Sequence, residues 1–284
     1  MANVGVVGLG EMGLGVAYRL LSLGHQVFGC DTDSGRVRAA ELEGVTIAAT
    51  PEAVAAESDS VIVILVGSTS QAAAACYGTQ GCLANIAAKT LLVMSSLDPR
   101  FVQQLESATE AAGGQLVDAT LASGYEAARA GTMLAMVAGK PAAIRSVESI
   151  LNQLVATAEH FGDRAGSGQE AKFITQVTMS VNMTAMIEAM RLADYFELDP
   201  ITILRTIDAS PGGSFISGNW DFLRGYMKAN HIENNHKDLR AAISAAIDAD
   251  VSVPVTSASL HALRAHWLSN PQELKGMADT IPVS

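Results

Sequence analysis

The sequence predicts an α/β fold in its first part and an all-helical fold in its second. Over the first 162 residues, short and almost entirely apolar runs alternate with helical patterns, as in a mainly parallel sheet covered on both faces. From Gln169 to Phe196 one helical pattern continues without Gly or Pro, and further helical patterns follow it. We therefore expect two domains, 1–162 and 163–284, separated near Asp163–Gly168 and connected by a long helix.

The strands are predicted from β-branched and aliphatic runs, and the helices from their periodicity and end signals. Within the first 162 residues, Gly24 follows the first helix, proline opens three later ones, and Gly113-Gly114 ends another. The predicted strands are Asn3–Val7, Gln26–Cys30, Ser60–Val66, Thr90–Met94, Gln115–Asp118, Met133–Val137 and Thr157–His160. The predicted helices are Gly13–Leu23, Ser34–Leu42, Pro51–Ala56, Pro99–Ala112, Pro141–Leu154, Gln169–Phe196, Pro200–Ala209, Phe215–Ala229, Lys237–Ala249, Val255–Leu268 and Pro271–Met277.

Composition excludes several classes of protein. The 284 residues include 18 Lys+Arg and 29 Asp+Glu, giving a net charge of −11, with 49% hydrophobic and 5% aromatic residues. This apolar content excludes disorder, and an acidic, aromatic-poor chain is not expected to bind nucleic acid. Three cysteines without a ligand spacing indicate a reducing compartment, so we expect a cytoplasmic protein with no disulfide framework and no metal site. No signal peptide or membrane span is expected.

The most informative motif lies between the first strand and the first helix. Gly8, Gly10 and Gly13 form G-x-G-x-x-G directly after an apolar strand. In a Rossmann-type domain the first glycine permits a tight turn and the second lets the backbone approach a pyrophosphate. The third lets the helix pack on the strand. We expect this turn, which also includes Leu9, Glu11 and Met12, to bind a dinucleotide; the alternative is an ordinary strand–helix turn.

An acidic residue at the end of the second strand indicates which dinucleotide is bound. Asp31 lies 21 positions beyond Gly10, where a carboxylate can accept hydrogen bonds from the adenosine ribose and would repel a 2′-phosphate. No arginine follows it directly. We therefore expect NAD as the cofactor rather than NADP.

Two later polar segments stand out from the alternation of apolar strands and helices. Ser95 and Ser96 end a strand at a place where parallel sheets bind ligands, and a Gly-containing loop leads into the long helix, with Lys172 in its first turns. Proximity to a helix N-terminus and burial would both lower the pKa of a lysine, which suits a general acid or base. A plain surface lysine is the alternative. Thr175 and Gln176 share its helix face.

Together these segments resemble the β-hydroxyacid dehydrogenase family, which includes 3-hydroxyisobutyrate, tartronate semialdehyde and threonate-type dehydrogenases. Six motifs occur in the family's order across nearly the whole chain, and no single one of them would suffice. They are Gly8–Gly13 for G-L-G-x-M-G, Gly24–Val27 for G-H-x-V, Ser95–Pro99 for S-T-I-D-P, Asp118-Ala119 with Gly131–Met133 for D-A and G-T-L, Gly166–Lys172 for G-x-G-x-x-x-K, and Lys237–Leu239 for K-D-L.

The resemblance implies a Rossmann-type domain followed by a helical domain like that of 6-phosphogluconate dehydrogenase, in a homodimer or homotetramer. Lys172 would be the catalytic lysine, and Lys237 would approach the cofactor and the substrate. Ser123 and Gly124 would hold the carboxylate of a small acid, and Ser96 would lie near the nicotinamide.

Two departures bear on the substrate. The family's P-V-S-G-G is replaced here by Thr120–Gly124, so Ala122 occupies the usual serine position. The family's K-x-x-N-N ends here in Gln176, one methylene longer than asparagine. The pattern is closer to the threonate-type members than to 3-hydroxyisobutyrate dehydrogenases.

The sequence thus predicts an NAD-dependent oxidoreductase that interconverts a small 3-hydroxy acid or sugar acid with its oxo acid or semialdehyde. Lys172 would exchange the proton, and Gln176 would polarise the same oxygen. Two alternatives stay open. One is an imine reductase-like enzyme, which Lys172 argues against; the other is a non-catalytic NAD-binding sensor, which both Lys172 and Lys237 argue against.

Overall fold

The chain divides into two compact units, Met1–Lys172 and a second that begins at Phe173. These come from a computed structural model that describes residues 1–122, 124–228 and 232–262. The division falls inside one long helix, a few residues after the expected boundary at Asp163–Gly168.

The first unit is built from eight strands and the helices between them. The strands are β1 Asn3–Val7, β2 Gln26–Cys30, β3 Thr46–Ile47, β4 Val61–Ile64, β5 Thr90–Val93, β6 Gln115–Ala122, β7 Met133–Ala138 and β8 Val155–His160. The helices are α1 Glu11–Ser22, α2 Ser34–Leu42, α3 Pro51–Glu57, α4 Thr69–Cys76, α5 Pro99–Ala111, α6 Tyr125–Ala130 and α7 Pro141–Leu154, with a 3-10 turn at Cys82–Asn85.

The strands form one sheet in the order β3-β2-β1-β4-β5-β6-β7-β8. All neighbours pair parallel except β6 and β7, which are antiparallel. The predicted mainly parallel Rossmann-type sheet is therefore confirmed. Its order reverses between β1 and β4, and ligands of open parallel sheets bind beyond the carboxyl ends of the strands at such a reversal.

The elements differ from the predictions where the local pattern is weak. The two-residue edge strand β3 and the short helices α4 and α6 were not predicted. The strand β6 continues to Ala122, so Asp118 lies inside this strand instead of ending it. This extension is explained by pairing, because residues 118–122 are hydrogen-bonded in register with β7.

Both faces of the sheet are covered, as near-continuous apolar strands require. Alternate residues of one strand enter different cores: Val61 and Val63 pack with α1 and α7, whereas Ile62 and Ile64 pack with α3, α4 and α5. The carboxyl ends of β1, β4 and β5 are thereby held rigidly, and the segments that leave them have defined positions.

The second unit is helical within the described residues. The long helix α8 Ser167–Tyr195 is followed by α9 Pro200–Asp208, α10 Phe215–Gly218, α11 Trp220–Lys228, α12 Ile232–Asp248 and α13 Pro254–Ala262. Its core contains three buried methionines of α8, Met183, Met186 and Met190, together with Leu223 and Leu239. The predicted helix Pro271–Met277 and the end of Val255–Leu268 lie outside the described residues.

None of the helices in the described part of the chain combines the length and the hydropathy needed to span a bilayer. This includes α8, although it is 29 residues long.

Candidate active site

The turn between β1 and α1 contains the three glycines of the predicted phosphate-binding motif. Gly8 has a φ of +93°, and a side chain on it would collide with the Leu65 carbonyl oxygen. A side chain on Gly13 would collide with the Gly8 carbonyl oxygen, so both glycines are needed for the turn itself. A Cβ atom on Gly10 would meet nothing closer than Arg36, at 3.8 Å. Gly10 therefore leaves space before the first N–H groups of α1, where a pyrophosphate fits.

The other residues of the turn have different positions. Leu9 is buried in the core, Met12 packs partly buried against the same core, and Glu11 is exposed in the first turn of α1. The Leu9 N–H donates to Asp31 Oδ2 at 2.8 Å, and the Asp33 N–H donates to Oδ1 at 2.9 Å. Asp31 thus connects the end of β2 to the glycine-rich turn.

An arginine lies beside this carboxylate. Arg36 Nη1 is 3.7 Å from Asp31 Oδ2, and the arginine side chain is 57% exposed whereas that of Asp31 is 7% exposed. The buried carboxylate and the open space at Gly10 fit an adenosine dinucleotide, with the acid towards the ribose hydroxyls.

The two serines at the end of β5 are not equivalent. Ser95 is buried, where its Oγ accepts from the Val66 N–H at 2.7 Å and donates to the Ile64 carbonyl at 3.1 Å. Ser95 therefore connects the ends of β4 and β5. Ser96 is half-buried and lies next to it at the carboxyl edge of the sheet.

The start of α8 is fixed by tight backbone packing. Gly166 has a φ of +93°, and a side chain on it would approach the Pro99 carbonyl oxygen to 2.8 Å. A Cβ atom on Gly168 would lie 2.6 Å from the Met136 carbonyl oxygen and 3.0 Å from Asp118 Oδ2. The G-x-G of this loop therefore exists because two segments of backbone approach too closely for side chains.

Lys172 lies on the second turn of α8 and is 8% exposed. A lysine of this burial is unusual, because its ammonium group must find polar partners when it leaves water. The predicted alternative of a plain surface lysine is wrong.

Polar side chains of the second unit form a buried row between α8 and α12. Gln176, one turn after Lys172 along α8, donates through Nε2 to Asp238 Oδ2 at 3.0 Å. Ser180 donates to Asn235 Oδ1 at 2.9 Å. Lys237 Nζ lies 3.7 Å from Asp238 Oδ1, and its side chain is 45% exposed. The structure therefore brings Gln176 and Lys237 to the same carboxylate.

The segment Ser123–Gly124, which is predicted to bind the substrate carboxylate, is only partly described. Gly124 is exposed and precedes α6, and a Cβ atom there would meet nothing within 4 Å. Ser123 lies outside the described residues. Within the described ranges, no group of three or more His, Cys, Asp or Glu side chains is placed to hold a metal ion.

Sequence reasoning assigned no role to three buried polar residues, Asp118, Gln169 and Asp238, although each lies in a quoted motif. Asp118 and Gln169 are both fully buried. For Asp118 the sequence does contain a signal: it is an acid inside the apolar strand segment Leu116–Ala119, and such a buried acid requires hydrogen-bond donors from elsewhere in the fold.

Burial raises the pKa of Asp118 to about 6, although hydrogen bonds from Thr120, Gln169 and Gly166 oppose the shift. Because this pKa exceeds the ordinary value of 3.8, folding favours the protonated acid. We expect this contribution to stability to be complete below about pH 4 and lost as pH rises through about 6, by on the order of 3 kcal/mol or less.

Denaturant unfolding of the wild-type chain and of Asp118→Asn between pH 4 and 7 measures this effect. The difference between the two free energies of unfolding should change with pH over that interval. Two parallel curves would contradict the assignment.

The sheet order, the glycine-rich turn and Asp31 define an NAD(P)-binding protein. Two family models agree: the NAD-binding domain of 6-phosphogluconate dehydrogenase matches residues 3–162, and the NAD-binding domain of NADP-dependent 3-hydroxyisobutyrate dehydrogenase matches residues 166–280. The chain belongs to the β-hydroxyacid dehydrogenase family, whose members are NAD(P)-dependent oxidoreductases acting on CH–OH groups.

The similarity to named relatives covers most of the chain. The chain is 29% identical to 2-(hydroxymethyl)glutarate dehydrogenase of Eubacterium barkeri, over 90% of this chain and 86% of the relative. It is 28% identical to L-threonate dehydrogenase of Cupriavidus necator, over 90% and 88%. The crystal structure of a 3-hydroxyisobutyrate dehydrogenase from Salmonella typhimurium has the same fold, with a TM-score of 0.82, 23% identity, and 98% and 99% of the two chains covered.

Proposed function

We propose that the protein is an NAD-dependent dehydrogenase of a small 3-hydroxy acid or sugar acid, with Lys172 as the general acid and base. The observation that carries this proposal is the burial of Lys172 on the second turn of a helix whose start is fastened to the carboxyl edge of the dinucleotide-binding sheet. That edge is where ligands of parallel sheets bind.

The residues divide the chemistry among them. The bound nicotinamide supplies the hydride acceptor, and the open turn at Gly10 together with Asp31 holds the dinucleotide. Lys172 Nζ takes the hydroxyl proton when the alcohol is oxidised and returns it when the carbonyl is reduced. Gln176 and Lys237, both within reach of Asp238, and the Ser123–Gly124 segment contribute polar groups to the substrate.

The hydrogen bond of Gln176 to Asp238 bears on the role of Gln176 towards the substrate. One amide N–H is engaged by the carboxylate, which fixes the orientation of the amide. The longer glutamine and Ala122 favour a sugar acid or a larger dicarboxylic acid over 3-hydroxyisobutyrate. The names of the two relatives, an L-threonate and a 2-(hydroxymethyl)glutarate dehydrogenase, support this choice.

A substrate panel tests the function. L-threonate, 2-(hydroxymethyl)glutarate and 3-hydroxyisobutyrate are each incubated with NAD and the intact protein, and formation of NADH is followed by absorbance. We expect turnover with at least one of the first two. Tight NAD binding without turnover of any acid would indicate a sensor instead of an enzyme.

We infer that NAD is preferred over NADP because Asp31 would repel a 2′-phosphate. In Asp31→Ser this repulsion is removed and Arg36 loses its ion pair with Asp31, so the exposed guanidinium can pair with the phosphate. The ratio of kcat/KM for NAD to that for NADP should fall about tenfold or more.

Asp59→Ser is the matched control for this change. Asp59 also accepts a backbone N–H, from Asn3 at 2.7 Å, but lies before β4, at the amino end of the sheet strands. Its loss should leave the ratio unchanged. An unchanged ratio in Asp31→Ser would refute the role of Asp31.

We also propose that the chain forms a homodimer or homotetramer in the cytoplasm. Leu192, Tyr195 and Phe196 at the end of α8 are 58%, 78% and 61% exposed, and a second copy would cover them. Sedimentation velocity of the intact protein tests the association. The buried and free state of Cys30, Cys76 and Cys82 supports the reducing compartment.

A further inference from the structure

One fully buried side chain joins three segments of the first unit. Gln169 Oε1 accepts from the Leu97 N–H at 2.8 Å, and its Nε2 donates to the Ser95 carbonyl at 3.0 Å and to Asp118 Oδ1 at 2.8 Å. Both the acceptor and the two donors of the amide are therefore used. The residue between the two bonded backbone positions is Ser96.

Asp118 determines the orientation of this amide. Its carboxylate accepts from Thr120 Oγ1 at 3.0 Å and from the backbone N–H groups of Gly166 and Gln169 at 3.0 and 3.1 Å, in addition to Gln169 Nε2. Above its pKa of about 6 the Asp118 carboxylate is ionised and can only accept, so the amide must present its nitrogen to Asp118 and its oxygen to Leu97. The same carboxylate anchors the backbone that starts α8.

The network lies between two groups assigned to the reaction. Ser96, expected near the nicotinamide, is held on both sides by the Gln169 amide. Lys172 follows Gln169 by three residues, on the adjacent turn of the same helix. A change in the Gln169 bonds would therefore move Lys172 relative to Ser96.

We propose that Gln169 is a positioning residue that sets the separation between Ser96 and Lys172, with Asp118 fixing the orientation of its amide. The proposal rests on the proposed role of Lys172. It differs from a purely structural role because reacting groups misplaced by about 1 Å can cost about 100-fold in rate while the fold persists.

Reciprocal substitution tests the orientation directly. In Gln169→Glu two carboxylates face each other, and in Asp118→Asn an N–H group faces another N–H group whichever way the Gln169 amide turns. In the double variant the new amide at position 118 can donate to the new carboxylate at position 169. That carboxylate can still accept from the Leu97 N–H, whereas the Ser95 carbonyl loses its donor and the Thr120 hydroxyl loses its acceptor. The net charge of this pair is then the same as in the wild type.

We expect each single variant to lose about 10- to 100-fold in kcat at a temperature well below its Tm. The double variant should recover about tenfold or more over the product of the two single losses. Kd for NAD should change less than kcat. If Gln169→Glu does not fold, Gln169→Met removes the same hydrogen bonds without adding a charge.

Thr109→Val is the matched control for lost stability. Thr109 is fully buried in α5 and donates to the Leu105 carbonyl, away from the carboxyl edge of the sheet. This variant should lower Tm and leave kcat unchanged. Equal kcat losses in Thr109→Val and the Gln169 variants, or single variants within about twofold of the wild-type kcat, would overturn the proposal.

The same experiment separates this proposal from the proposed function. If Lys172→Ala retains kcat, the proposed function fails; if Lys172→Ala loses it while the single variants keep it, only the positioning role fails.

Competitive acetylation with acetic anhydride, read by peptide mass spectrometry across pH, gives a measurement that needs no substrate. The titration midpoint of Lys172 should move in Gln169→Met, which removes the hydrogen bonds without changing any charge; no movement overturns the positioning role.

Discussion

Lys172→Ala is expected to lower kcat by about 100- to 10,000-fold with the best acid of the panel, because a positioned general acid or base contributes that much to proton transfer. Kd for NAD should stay close to the wild-type value, since the glycine-rich turn and Asp31 are untouched. Steady-state kinetics and NAD titration by protein fluorescence measure the two quantities.

Lys140→Ala is the control for removing a lysine. Lys140 precedes α7 and pairs with Glu110 in an exposed ion pair, so its loss should alter neither kcat nor Kd. A Lys172→Ala protein with near-normal kcat would refute the proposed mechanism. A general loss of NAD binding in it would show that the lysine acts through the fold.

Gly10→Ala is expected to raise Kd for NAD about tenfold or more while the fold stays intact. The φ of Gly10 is −65°, which alanine adopts freely, and only the tip of Arg36 lies near the added methyl group. The methyl group would, however, fill the space through which the backbone approaches the pyrophosphate.

Gly13→Ala provides the contrasting variant. Its methyl group would collide with the Gly8 carbonyl oxygen, so the turn itself must open, at a cost of about 1–3 kcal/mol or more. Thermal unfolding should therefore show a clear loss of Tm for Gly13→Ala and little for Gly10→Ala. Equal losses of Tm would contradict the separate roles of the two glycines, and unchanged NAD binding in Gly10→Ala would contradict the site.

Most elements of the first unit were predictable because their patterns are local. β1, β2, α2 and α7 occur with the predicted bounds, since strand alternation, helix periodicity and the Pro and Gly signals agree there. The short helices α4 and α6 were missed because their alanine-rich sequences have little periodicity. The extension of β6 was missed because it depends on pairing with β7, a partner that lies beyond an intervening helix.

The candidate site was predictable only in part. The glycine-rich turn, Asp31 and Lys172 could be found because each lies in a short motif with a mechanical reason. The partner of Gln176 could not, because Asp238 is 62 positions away and the helix packing brings the two side chains together. Asp118 was recognised as part of a motif, but its strand position hid its function as the acceptor for the start of α8.

Local patterns therefore predicted most of the elements of the first unit, the position of the glycine-rich turn and the lysine in the first turns of the long helix. Only the tertiary structure decided how that lysine is held. Apart from the local bond between Thr120 and Asp118, the bonds of Gln169 and Asp118 connect residues between 48 and 74 positions apart. Buried polar groups must find partners wherever the packed strands and loops place them, and sequence spacing does not encode those places.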